Sequence, residues 1–255
     1  VGNGVPDVLD NGLILDNTCV DFKVFANKFT RFSAAAISIE SSGRDGIQRG
    51  VIYQNDFIDN YVPGSSGGQT FGRGYGVVVY GNGIWSSLEL GTQNAVFIED
   101  NYMTGNRHHV ASNNASRYVF RNNTVIANQT SMNFAMVDAH GLSSSPAGSR
   151  SWEIYQNKFS ADLPGGNSAQ AAIGIRGGDG VVFNNTVAPN ISWAIYLEAE
   201  GAPYCGAQNF SGQTTDAWFW NNASSAIDNS CPASIKYASS AKPGYTPYAY
   251  PHPLR

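Results

Sequence analysis

YVFRNNTV, residues 118–125, is a short apolar strand that runs into paired asparagines and out again into an apolar residue. The same figure recurs down the chain. Before it come FKVFANKF (Phe22 to Phe29), VIYQNDF (Val51 to Phe57) and VFIEDNYM (Val96 to Met103). After it come EIYQNKF (Glu153 to Phe159), VVFNNTV (Val181 to Val187) and AWFWNNA (Ala217 to Ala223). The shared asparagines are Asn27, Asn55, Asn101, Asn123, Asn157, Asn185 and Asn222, separated by 28, 46, 22, 34, 28 and 37 residues. A unit of this size, made of short strands and turns, cannot bury its own apolar face and becomes stable by stacking on its neighbours.

The pattern predicts an all-β fold, a right-handed single-stranded parallel β-helix of about seven to nine coils. Each asparagine sits at the same turn, where its side chain can bond to the backbone and to the next asparagine as an internal ladder. The 46-residue gap holds the Gly/Ser-rich stretch Pro63 to Gly74, a loop leaving the coil, and then the strand GVVVY (Gly76 to Tyr80). One enlarged coil or two poorly matched ones would fit it. No long stretch carries apolar residues at helical spacing, whereas alternation and β-branched or aromatic runs dominate. An antiparallel sandwich is the competing reading, but two-residue hairpin turns are scarce and the asparagine has no role there. Residues 1–235 read as the solenoid domain. Residues 236–255, rich in Tyr and Pro, read as an extended tail packed on it, since proline does not fit a central strand.

The chain has 255 residues, 42% hydrophobic, 13% charged and 12% aromatic, with a net charge of −4. That is ample for one extended core and gives no electrostatic case for a nucleic-acid partner. No apolar run reaches the length of a membrane span. The chain opens without Met and without a signal peptide, which suits a processed product. Low charge and abundant Asn, Ser, Thr, Gly and aromatic residues suit a secreted or cell-surface protein that handles glycans. Cys205 and Cys231 are placed to close a loop by a disulfide, whereas Cys19 follows an apolar strand and reads as a buried free thiol. Three cysteines at these spacings make no zinc motif.

A second strand precedes each asparagine strand: GLILD (Gly12 to Asp16), ISIE (Ile37 to Glu40), SLELG (Ser87 to Gly91), RHHVA (Arg107 to Ala111), VDAHG (Val137 to Gly141), IGIRG (Ile173 to Gly177) and IYLEA (Ile195 to Ala199). Alternation sends every second residue inward and leaves two outer columns. One is Ile14, Ser38, Glu89, Arg107, Asp138, Gly174 and Tyr196. Its neighbour is Asp16, Glu40, Gly91, His109, His140, Arg176 and Glu198. In this register His108 points inward, and a slip of one residue exchanges it with His109. The densest patch is Arg107, His109, Asp138, His140 and Arg176, flanked by the outer subsites Glu40, Glu89, Tyr196 and Glu198. Arginine grips carboxylates in a bidentate manner, histidine moves protons near neutrality, and Asp138 can orient an imidazole. Such a group suits β-elimination from an acidic polysaccharide, or hydrolysis through Asp138 and a second carboxylate. A solvated face with local ion pairs is the plain alternative. His109, Asp138 and His140 would be the metal ligands if there were any, but Arg107 and Arg176 oppose a bare divalent cation. Calcium would need Asp16, Glu40 or Glu89 to converge across coils.

The stack and stripe resemble the right-handed parallel β-helix superfamily of pectate-lyase-like proteins from Leu13 to about Ala223. The most typical part is Arg107-His108-His109-Val110, YVFRNNTV and Val137-Asp138-Ala139-His140-Gly141. The ending GYTPYAYPHPLR (Gly244 to Arg255) resembles the tails of exported bacterial members. The resemblance implies an extracellular protein that acts on or binds acidic polysaccharide, with a lyase favoured over a glycoside hydrolase, or else a non-catalytic glycan-binding or structural β-helix. The calcium-binding aspartate cluster of pectate lyases and the paired-aspartate motifs of polygalacturonases are missing. The N-terminal cap of the family is also missing, so flanking coils would come from further sequence or a companion chain.

Overall fold

The computed structural model describes residues 9–17, 19–41, 48–61, 74–128, 135–141, 147–163, 169–200, 214–224 and 226–255. Three parallel sheets run the length of the molecule. The first holds β1 (Leu9–Leu15), β4 (Phe32–Ile39), β7 (Tyr75–Tyr80), β10 (Val110–Asn113), β13 (Ala135–Ala139), β16 (Ala169–Ile175), β19 (Ile191–Leu197) and β21 (Ile227–Asn229), in that spatial order. The second holds β2 (Val20–Phe25), β5 (Arg49–Tyr53), β8 (Val96–Glu99), β11 (Arg117–Arg121), β14 (Ser151–Tyr155), β17 (Asp179–Phe183), β20 (Ala217–Trp220) and β22 (Tyr237–Ala238). The third is shorter: β3 (Lys28–Thr30), β6 (Asp56–Ile58), β9 (Tyr102–Thr104), β12 (Thr124–Asn128), β15 (Lys158–Asp162) and β18 (Thr186–Val187). Every strand pair is parallel and each coil visits the sheets in the same sequence, which is the topology of the right-handed parallel β-helix. No helix among the described residues is long and apolar enough to cross a membrane.

The asparagine series joins the second sheet to the third. The backbone N–H of each asparagine donates to the side-chain oxygen of the next, from Asn27 through Asn55, Asn101, Asn123, Asn157 and Asn185 to Asn222, at 2.9–3.1 Å. The Nδ2 atoms repeat the link and also reach strand carbonyls, as Asn123 does to Ile98 (2.9 Å) and Arg121 (3.0 Å). The residue before each one is left-handed: Ala26, Gln54, Asp100, Asn122, Gln156, Asn184 and Asn221 have φ between 51° and 57°. One left-handed residue between two extended ones bends the chain sharply, and the buried asparagine satisfies the polar backbone that the bend exposes.

The 46-residue gap is one enlarged coil. Asn55 and Asn101 are adjacent in the ladder, and β7 lies between β4 and β10. The strand of the first sheet on this coil is therefore Tyr75–Tyr80, not the expected SLELG, which lies in an excursion before β8.

The core between the sheets is aliphatic and aromatic, with Ile37, Ile52, Ile98, Val110, Phe120, Val137, Trp152 and Ile173 buried. Along the outer face of the second sheet lie residues of the C-terminal segment. Tyr248 and His252 pack on Phe97, with ring centroids 5.3 and 4.5 Å away. The fully buried Arg121 pairs with Glu99 (2.6 Å) and donates to the carbonyls of Tyr248 and Ala249 (2.7 Å each). Regular winding reaches into this segment, because β22 pairs with β20. Cys19 is a free thiol, half-buried rather than buried, whose Sγ donates to the Asp16 carbonyl. Of the expected Cys205–Cys231 bridge, Cys205 lies outside the described residues. Cys231 is buried, and its Sγ accepts the backbone N–H of Ala199 (3.2 Å).

Candidate functional site on the outer face of the first sheet

The strand register aligns Ile14, Ser38, Val78, Ala111, Asp138, Gly174 and Tyr196 in one column. At the ends of β10 and β7 Asn113 pairs with Tyr80, and one step past β13, β16 and β19 His140, Arg176 and Glu198 continue that column. The expected alignment thus holds at Asp138, Gly174 and Tyr196 and at His140, Arg176 and Glu198. It fails at Arg107 and His109, which precede β10, and Ala111 and Asn113 take the places assigned to them. Glu89 also lies off the sheet, in the excursion after β7, where it binds Arg117 (2.7 Å) and Asn94 (2.8 Å). Glu40 stays at the end of β4, three strands from β13, with its carboxylate on Ser38 Oγ (2.7 Å).

His108 and His109 are exchanged relative to the expected register. Both rings are buried, at 3% and 0% exposure. His109 fills a slot that the other coils fill with Ala36, Gly76, Met136, Ala172 and Ala194, each preceding the inward Ile or Val of its strand. Two successive residues face inward at this point, so alternation breaks one residue before β10. His109 Nδ1 meets Asn106 Nδ2 (3.0 Å), while its Nε2 has no partner among the described residues. Burial, with His108 nearby, pulls its pKa down to about 3. His108 lies outside the sheet. It stacks on Tyr75 at 5.6 Å, its Nδ1 bonds the Ala135 carbonyl (2.6 Å), and its Nε2 faces Asp138 Oδ2 at 3.7 Å. Burial lowers its pKa against the opposing pull of Asp138. Arg107 lies over the Tyr75 ring at 5.7 Å.

Asp138 is the centre of the group. It is 1% exposed, and Arg176 grips it in a bidentate manner, Nε to Oδ1 (3.0 Å) and Nη2 to Oδ2 (2.6 Å). Burial opposes its ionisation, but Arg176, then His108 and His140, outweigh that and hold the carboxyl well below its ordinary value. Arg176 Nη1 also reaches Glu200 Oε2 (3.0 Å), and that oxygen accepts from His140 Nδ1 (2.9 Å) and from the Gly141 N–H (3.1 Å). A side chain at Gly141 would strike the Arg176 carbonyl and the Glu200 backbone, so glycine lets Glu200 come this close. Burial works against ionisation of Glu200, yet His140 and Arg176 lower its pKa, whereas burial raises that of Glu198. Glu200 was missed in the sequence because it lies past the last residue of the IYLEA strand. His140 Nε2 is 3.7 Å from Asp138 Oδ2, a spacing that a water or a substrate hydroxyl can bridge.

Beside this network is a cavity of about 170 Å³ lined by Tyr75, Val78, Tyr80, Ala111, Ser112, Asn113 and His140. Among the described residues, no group of three or more His, Cys, Asp or Glu side chains is arranged to hold a metal. Asp138 and Glu200 are engaged by Arg176, Asp16 and Glu40 follow paired positions at the ends of β1 and β4, and Glu89 lies apart from them on Arg117.

No family model matches this chain, and neither does any curated protein or solved structure. The topology of three parallel sheets is that of the pectate-lyase-like right-handed parallel β-helix.

Proposed function

We propose that this chain is an exported, carbohydrate-active β-helix that binds an acidic polysaccharide across the outer face of the first sheet and cleaves it by β-elimination. The observation that carries the reading is His140. It lines the cavity, and its Nδ1 is fixed by Glu200 above the buried Asp138–Arg176 pair. In the reaction His140 takes the proton from the carbon α to the uronate carboxylate. The freed electron pair forms the new C=C bond, and the glycosidic C–O bond on the adjacent carbon breaks with its electrons on the leaving oxygen, which is then protonated. Arg107, over the ring of the cavity residue Tyr75, is the cation assigned to neutralise the uronate in this reading, and Tyr75 and Tyr80 offer flat surfaces for sugar rings. Asp138, Arg176 and Glu200 are positioning residues. Tyr196 and Glu198 flank them as outer subsites, with Glu40 more distant on the same face.

Glycan binding without cleavage is the second reading. It is favoured by the engagement of Arg176 with Asp138 and Glu200, which leaves its grip committed within the protein. The test is an activity screen across pectate, alginate, glycosaminoglycans and neutral glycans, with and without calcium, following unsaturated uronate ends and reducing ends together. The lyase reading expects unsaturated ends from the wild type and none from H140A. Reducing ends alone would indicate hydrolysis, and binding without cleavage would establish the second reading. Unchanged activity and binding in H140A and R176A would remove the site.

A further inference from the structure

A second cavity, of about 190 Å³, shares Tyr80 with the first, so the two adjoin at that side chain. The excursion after β7 builds the wall of the second, with Ile84, Ser86 and Glu89, and the turn before β11 supplies Ser116 and Arg117. This wall is fixed in place. A side chain at Gly81 would strike the backbone of Asn114, Ala115 and Ser116, so the excursion leaves β7 in direct contact with that turn. Arg117, only 7% exposed, donates to Glu89 Oε2 (2.7 Å), Ser86 Oγ and the Ser87 carbonyl (2.7 Å).

Two properties define what the cavity would take. First, its charges cancel. Arg117 and Glu89 are paired, and Glu89 is kept ionised by hydrogen bonding from Asn94 and by Arg117. A carboxylate entering here would find the arginine occupied and Glu89 repelling it. Second, the rest of the lining is mostly apolar. Ile84 is 49% exposed at the wall, with Val79, Tyr80 and Ala115 beside it. An apolar platform with a few fixed polar groups is how a protein holds an uncharged sugar ring.

We infer that this cavity is a subsite for a neutral sugar residue next to the uronate in the His140 cavity, so that the preferred polysaccharide is a mixed polymer of uronic acid and neutral sugar. This rests on the reading of the His140 cavity as a uronate site. The specificity then comes from the excursion peculiar to the enlarged coil.

The experiment is calorimetric titration of wild type and I84E with three sets of oligosaccharides of equal length: galacturonate only, neutral xylose or mannose only, and alternating uronic acid and neutral sugar. The wild type should bind the alternating set most tightly. I84E should weaken that binding about tenfold or more by placing a charge on the apolar wall, while leaving the galacturonate set unchanged. Equal binding of the galacturonate and alternating sets by the wild type, or equal weakening of both by I84E, overturns the neutral subsite and leaves the His140 reading standing. Ile84-dependent binding of neutral oligosaccharides with none of the uronate sets supports the cavity and removes the uronate reading. No binding by any set overturns both.

Discussion

His109 should make the protein acid-sensitive in a way that a single substitution removes. Its ring sits in a core slot that other coils fill with Gly, Ala or Met, at 0% exposure, and its pKa is held down from 6.5 to about 3. The group is depressed in the folded state, so its contribution is fully present above pH 6.5. As the pH falls, the unfolded chain takes up a proton that the folded chain refuses, and stability declines until the folded group titrates. Each pH unit in that window is worth about 1.4 kcal/mol, so the fall from pH 7 to pH 4 costs about 3 kcal/mol through this residue alone. H109M places in the slot the residue that β13 uses there. Asn106 keeps its bonds to the Phe57 and Thr104 carbonyls, and the unpartnered Nε2 disappears. Urea unfolding of both proteins at pH 7 and pH 4 measures the effect as a difference of differences, in which shared groups such as His108 largely cancel. The variant should match or exceed the wild type at pH 7 and lose about 3 kcal/mol less on acidification. Parallel pH dependence of the two proteins would refute the assignment of a buried, neutral His109. The same variant should keep any activity, because His109 does not line the cavity beside His140.

Two further outcomes follow from the interior. Asn123→Ala removes donors to Ile98, Arg121 and Asn157 and the acceptor of Asn101, and should cost about 2–4 kcal/mol in denaturant unfolding, whereas Asn27→Ala at the exposed end of the ladder should cost far less. R176A strands the buried Asp138 carboxylate and should cost about 3–5 kcal/mol near neutrality, with the gap to wild type narrowing throughout acidification: the variant regains stability first, as its stranded carboxyl takes up a proton above the ordinary carboxyl value, and the wild type then loses its benefit below that value, where the unfolded chain takes up a proton that the folded Asp138 refuses; a constant gap across pH would contradict that account.

The repeat was legible because seven asparagines do one job. A buried side chain that must bond both its own bend and the next coil tolerates little substitution within the stack, so Asn55 to Asn222 mark the coils directly. The first sheet was less legible. Asp138, His140 and Arg176 fell into place because VDAHG and IGIRG begin at equivalent positions. RHHVA was set four residues out of register, and a shift of four preserves alternation, so side-chain parity could not expose the error. The signal that resolves it is the small or flexible apolar residue before the inward Ile or Val: Ala36-Ile37, Met136-Val137, Ala172-Ile173, Ala194-Ile195. His109-Val110 belongs to that series, and its histidine hid the match. SLELG was misread for a different reason. It alternates like a strand, yet GVVVY had already supplied the strand for that coil, and only the pairing of Asn55 with Asn101 shows that no other coil intervenes.

The ladder also separates what must stay constant from what can change. Asn101 to Asn123 closes a coil in 22 residues, and Asn55 to Asn101 closes one in 46, yet both make the same bond at the same bend. The bend itself does not register how much chain lies outside it. A segment grafted between Tyr80 and Val96 should therefore remodel the outer face while leaving the ladder intact, provided that it gives Arg117 and Arg150 the partners that Ser86, Ser87 and Glu89 now supply, much as an exchangeable tool is fitted to a fixed handle by a set joint. A lineage carrying this spine can acquire new ligands by lengthening one coil at a time, without renegotiating the fold that holds them.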